Sequence, residues 1–203
     1  MKYSYKAKSG PGNTVTGVGH TFAATPCLDE NGLPREGCTI QERSFQACAT
    51  SGCHGSADVA RNLFQTTKSG LNDLLDQLWT DTDGDHNLDT ADDGLLPQVL
   101  ALEGEAEINP ADSTFTTAEG ALWNAQVAHT EDRLYWGDFT VGANPEHFGA
   151  HKGSGDGVHN PFLLEALLRA SIDAVENEYG VTAAATVEPF TEAPPTVHVG
   201  ESR

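Results

Sequence analysis

Two groups of side chains have types and spacings that could do chemistry. The first is Cys48, Cys53 and His54 in the run ACATSGCHGS, spaced C-x4-C-H. The pattern C-x-x-C-H is the haem c attachment signature. Its chemistry needs two thiols to add across the two haem vinyl groups. It also needs a histidine directly after the second cysteine, so that the imidazole falls under the iron. A four-residue spacer meets the same demand with a wider loop, and its small residues (Ala49, Thr50, Ser51, Gly52) let that loop lie against the porphyrin edge. Two other chemistries compete. One is a Cys48–Cys53 disulfide beside an incidental His54. The other is a zinc site that draws in Cys27 and Cys38, which are eleven residues apart and make no knuckle.

The second group is the acidic run DTDGDHNLDTAD. It places Asp81, Asp83, Asp85, Asn87, Asp89 and Asp92 at loop positions 1, 3, 5, 7, 9 and 12, the ligand register of an EF-hand or dockerin-like calcium loop. A hard cation wants a shell of oxygens, with position 7 giving its backbone carbonyl. Two residues depart from the pattern: His86 stands at position 6, where glycine makes the sharp turn, and position 12 is Asp92 rather than the longer Glu. A solvated acidic loop is the alternative.

The elements that must position these groups read as helices. Leu71, Leu74, Leu75, Leu78 and Trp79 recur at i, i+3, i+4, i+7 and i+8, which predicts an amphipathic helix over 70–80, before the acidic loop. A short apolar helix over 95–103 follows it. Thr116 or Thr117 is suited to cap a helix over 118–136 that carries Glu119 in its first turn. Pro161 opens a helix through Leu163, Leu164, Leu167, Leu168 and Ile172, and Gly180 closes it. Residues 1–44 read as loop with one short hairpin, 45–68 as a compact segment around the Cys/His group, and 181–203 as a disordered tail or linker. The class is mainly α with extensive coil, one domain over 1–180 carrying the acidic loop as an insertion.

Charge narrows the partners. The 203 residues include 11 Lys+Arg and 30 Asp+Glu, a formal net charge of −19. That balance excludes a nucleic-acid binder, whose affinity comes from basic side chains on phosphates, and it opposes anionic membrane surfaces. No stretch is long and apolar enough to span a bilayer. No serine–histidine–aspartate or paired-carboxylate set points to hydrolysis.

Three further segments resemble multihaem c-type cytochromes. GHTF (His20) resembles a stretch that supplies an axial histidine in them, ALWNAQVAHTEDRLYWGDF resembles the helix before their S-x-G-x-H-N-P pattern, and SGDGVHNPFLL resembles that pattern itself. They occur in family order across about residues 17–175. The resemblance implies a small helical domain around one covalent haem c, resembling the family's C-terminal haem domain, with a low-spin iron held by His54 and by His159, or by His20 in its place. His129 is a weaker ligand candidate as a mid-helix histidine, while His86, His147, His151 and His198 fall in loops. The chain departs from the family in having one attachment motif where the family has several, and no signal peptide. Both departures suggest a piece of a longer exported cytochrome or a partner subunit. In an oxidising compartment Cys27 and Cys38 would close a disulfide.

The expected function is electron transfer through a bis-histidine haem, in the periplasm or outside the cell, between redox partner proteins or neighbouring haem subunits, in an oligomer or filament. Two axial histidines leave no open iron position, so an electron carrier rather than an enzyme is expected. The alternative is a secreted calcium-dependent binding module with disulfides and no haem. A haem enzyme with an open iron would require that neither His159 nor His20 ligates.

Overall fold

Among the described residues, four helices form where the apolar residues repeat at three- and four-residue spacing. The computed structural model describes residues 6–8, 14–16, 27–31, 34–35, 39, 42–49, 54–109, 114–130, 132–137, 139–143, 161–184 and 187. Helix α1 spans Ala57–Leu78, α2 Leu95–Glu103, α3 Thr117–Ala128 and α4 Pro161–Tyr179. The chain is mainly helical, as its sequence predicts. Among the described residues, no helix is long and apolar enough to cross a membrane.

α1 begins thirteen residues before the predicted start at 70. Its middle carries Thr66, Thr67, Ser69 and Gly70, poor helix formers that hide the period. Two things hold it helical: the Ser56 hydroxyl accepts the Val59 N–H at 3.2 Å as an N-cap, and the second half buries Leu71, Leu74, Leu75 and Leu78. α3 starts as the sequence predicts. Thr116 caps it, and Glu119 reaches back to the Thr116 N–H, completing a capping box. It ends at Ala128, not near 136, because His129 turns extended. A separate 3-10 turn, Leu134–Gly137, then carries Trp136 into the core.

α4 packs against α3 and α1, and one core joins all four helices. Leu75, Leu78, Trp79, Leu95, Leu96, Val99, Leu122, Ala125, Leu168 and Val175 are fully buried within it. Trp79 is its aromatic centre: the rings of Tyr135 and Trp136 stand edge-on to it at 5.0 Å, and Phe139 lies at 5.3 Å. Arg133 and Asp76 form a bidentate ion pair that ties the loop after α3 to α1.

Strands are few and short. β1 (Lys6–Lys8) pairs with β2 (Thr14–Thr16), and β3 (Cys27–Leu28) with β4 (Pro34–Arg35), both antiparallel. Among the described residues of the first 44, two short antiparallel pairs form where the sequence suggests one hairpin. β5 (Asn87–Leu88) pairs in parallel with β6 (Thr140–Val141), a contact between distant segments that two-residue strands cannot announce in a sequence. After Gly180, the first residues of the expected tail stay on the domain: Val181 is buried, Ala183 N–H donates to Glu176, and the Val187 carbonyl accepts from Arg169.

Candidate metal and haem sites

The acidic loop is pinned at both ends. Thr80 and Asp93 exchange backbone hydrogen bonds, 2.7 and 3.3 Å, between the end of α1 and the start of α2. Its middle is pinned by β6, since Thr140 N–H donates to the His86 carbonyl and Gly142 N–H to the Leu88 carbonyl. Between these anchors, Asp81, Asp83 and Asp85 bring one carboxylate oxygen each within 4.8 Å of one another. Asp81 is nearly buried and accepts the N–H groups of Gly84 (2.8 Å) and His86 (3.2 Å). Asp83 accepts from Asp85 N–H and Asp85 from Asn87 N–H. These turns gather three negative charges beside one another.

His86 adopts φ +60°, the left-handed conformation that position 6 of such a loop requires and that glycine ordinarily supplies. The histidine meets the backbone demand despite its Cβ. Its ring is exposed and leans toward Tyr135 at 6.2 Å. At Asp85, the Asn87 N–H bond pulls the carboxyl down, but desolvation and the charges of Asp83 and Asp89 leave it above its usual range. A divalent cation would relieve that repulsion.

The remaining register positions are engaged elsewhere. Asn87 accepts the Thr140 hydroxyl at 2.7 Å, and Asp89 accepts Ala91 N–H at 2.7 Å. Asp92 is buried, and both of its oxygens are taken: one accepts Trp79 Nε1–H at 2.8 Å, the other Thr82 N–H at 2.9 Å and the Thr82 hydroxyl at 3.2 Å. Asp92 therefore fastens the loop to the aromatic centre of the core. Its sequence position shows it only as a loop ligand, because the Trp79 partner lies on the preceding helix.

The Cys/His group lies at the start of α1. Cys48 closes a 3-10 turn, Gln46–Cys48, and is half-buried with a thiol. The His54 N–H donates to the Cys48 carbonyl at 3.2 Å, so the ends of the C-x4-C-H loop meet through the backbone. His54 is exposed, two residues before the Ser56 cap. Beneath the turn, buried Phe45 packs edge-on against Phe64 at 5.7 Å, and the Arg61 guanidinium lies 5.4 Å from the Phe45 ring centre. Cys27 is disulfide-bonded and buried, which removes it as a thiolate for zinc. Cys53, Cys38, His20, His159, His147, His151 and His198 lie outside the described residues.

No protein-family model, no curated protein and no solved structure matches this chain. The sites are therefore read from their own residues. His129, expected mid-helix, is the buried C-cap of α3, its Nδ1 at 2.7 Å from the Gln126 carbonyl. Sequence reasoning missed Arg61 altogether, although it stands seven residues after His54 on the helix that the motif opens into.

Proposed function

We propose that the chain is an electron-transfer domain carrying one covalently attached haem c, exported and set among redox partner proteins or neighbouring haem subunits. The observation that carries the reading is the closed Cys48–His54 loop: one hydrogen bond fixes where the thiol-bearing turn and the histidine lie relative to each other, at the rigid start of a 22-residue helix. Cys48 and Cys53 would hold the haem through thioether bonds. His54 would bind one face of the iron and His159 the other, with His20 the alternative. The haem supplies a one-electron iron couple.

The surroundings support an apolar, planar guest. Val59 and Leu63 are exposed on the first turns of α1, just beyond His54, and Phe162 and Leu163 are exposed on the first turn of α4, just beyond the His159-Asn160-Pro161 run. Large apolar side chains are exposed at the helix starts that follow both histidines, where a porphyrin would cover them. The Cys27 disulfide supports an oxidising compartment. The net charge of −19 steers the domain toward basic partners in a salt-dependent way.

The reduced protein, matured with a haem-attachment system, is expected to show a low-spin spectrum. His159→Ala converts it to high spin. If low-spin character survives that change and His20→Ala abolishes it, the distal ligand is His20.

The acidic loop serves the same domain as a calcium staple. Asp81, Asp83 and Asp85 with the Asn87 carbonyl would hold the ion, while Asp89 and Asp92 would reach it only by giving up their present hydrogen bonds. Asp81 makes a poor test because its oxygens also hold Gly84 and His86. Asp83→Asn combined with Asp85→Asn keeps the acceptor oxygens and removes the charge. At calcium a hundredfold above Kd, an ion stabilises by about 2.7 kcal/mol, roughly 5–11 °C in Tm for a chain of this size. The double variant should lose that increment, and in chelator its Tm should match or exceed that of the parent, because the substitutions remove mutual repulsion among the carboxylates. An equal loss in chelator removes the calcium reading.

The alternative, a calcium-dependent binding module without haem, draws on the clustered carboxylates and the Cys27 disulfide. A colourless chain that still gains stability from calcium would favour it.

A further inference from the structure

We propose that Arg61 receives a propionate carboxylate of the haem, an inference that rests on the haem reading above. Arg61 stands on the second turn of α1, about 7.5 Å of helix rise beyond the Ser56 cap and seven residues after His54. Its guanidinium is set against Phe45, whose own carbonyl accepts the Cys48 N–H at 3.0 Å, so the arginine and the thiol-bearing turn share one support.

The Arg61 side chain is only partly satisfied. Nη1 pairs with Asp58 at 2.8 Å, but the Asp58 side chain is 85% exposed, so the pair is a weak surface contact. Nε is buried and has no acceptor. A buried guanidinium N–H without a partner is costly and calls for an explanation. Among the described residues, no carboxylate reaches this atom. A guanidinium presents a planar fork matched to a carboxylate. A haem attached at Cys48 would bring two carboxylates to this end of α1.

The test is the midpoint potential of the covalently loaded protein, measured for the parent, R61Q, R61K and D58N. A fixed positive charge near the haem disfavours the ferric state. R61Q should therefore lower the potential, raising the oxidised-to-reduced ratio about three- to tenfold at a fixed applied potential, where tenfold is about 59 mV for one electron. R61K keeps the charge and should stay within about twofold of the parent. D58N removes a neighbouring negative charge and should move the potential upward. If Arg61 merely braces Asp58 and Phe45, R61Q leaves the potential at the parent value or D58N reproduces its fall, and either result overturns the assignment while the haem reading stands. Should R61Q not accumulate, D58N carries the test alone, and a potential that stays or falls overturns it. A parent without covalent haem overturns both readings.

Discussion

Gly94→Ala will destabilise the domain by roughly 3 kcal/mol or more, a fall on the order of 6–12 °C in Tm for a chain of this length. Gly94 sits between the acidic loop and α2 with φ +120° and ψ −176°, a region open essentially to glycine alone. Space is short as well. A Cβ there would lie 2.7 Å from the Leu78 carbonyl oxygen, 2.8 Å from its carbon and 2.9 Å from Trp79 Cα. These are backbone atoms at the end of α1, and Leu78 and Trp79 are fully buried, so nothing yields without disturbing the core. Gly84 is the control. It also has positive φ, +79°, but nothing lies within 4 Å of its added Cβ. Gly84→Ala should cost only the conformational strain, about 1–2 kcal/mol. Thermal unfolding of the two variants side by side checks the ordering, and equal losses would contradict it.

Cys48→Ser combined with Cys53→Ser will abolish covalent haem attachment under the proposed function, a loss of tenfold or more in bound haem per chain. The Cys48 side of the change is clean for a structural reason. The turn is held through the backbone: Cys48 N–H on the Phe45 carbonyl and His54 N–H on the Cys48 carbonyl. Serine keeps both bonds and nearly the same volume. The helical core, built from α1 to α4, does not draw on the Cys48 sulfur. The unfolding temperature of the haem-free Cys48→Ser single variant should then change little, while the double variant loses its colour. Covalent haem retained at parent level in the double variant would remove the thioether assignment.

Much of the scaffold was legible in the residues, and the exceptions have physical causes. The leucine spacings of α1, α2 and α4 and the Thr116–Glu119 cap mark their elements because local pattern and buried face agree. The first half of α1 is hidden by the threonines, serine and glycine of its middle, since packing overrides weak propensity there. The end of α3 is hidden because Trp136 stays apolar in sequence while reaching the core from a separate turn. In the acidic loop the clustering of Asp81, Asp83 and Asp85 follows the register directly. The position of Asp92 on Trp79 Nε1, and of Asn87 on Thr140, depends on partners 13 and 53 residues away that no loop pattern encodes. Arg61 escapes notice for the same reason: its meaning comes from Phe45 and from a buried Nε, both set by packing.

The charge imbalance has an address in the structure. Three of the carboxylates sit within 4.8 Å of one another, and that local density is what a divalent ion would offset. A haem would add two more carboxylates at the other end of α1, where Arg61 is one of only 11 Lys+Arg in the chain.

Under the proposed function, this chain carries haem through Cys48 and Cys53. The most direct measurement is the haem content of the chain after denaturation and acid–acetone extraction, following expression with a periplasmic haem-attachment system. The account predicts one haem per chain that stays with the polypeptide and gives a reduced pyridine spectrum typical of thioether-linked haem. A colourless polypeptide, or colour that extracts into the solvent, would contradict it.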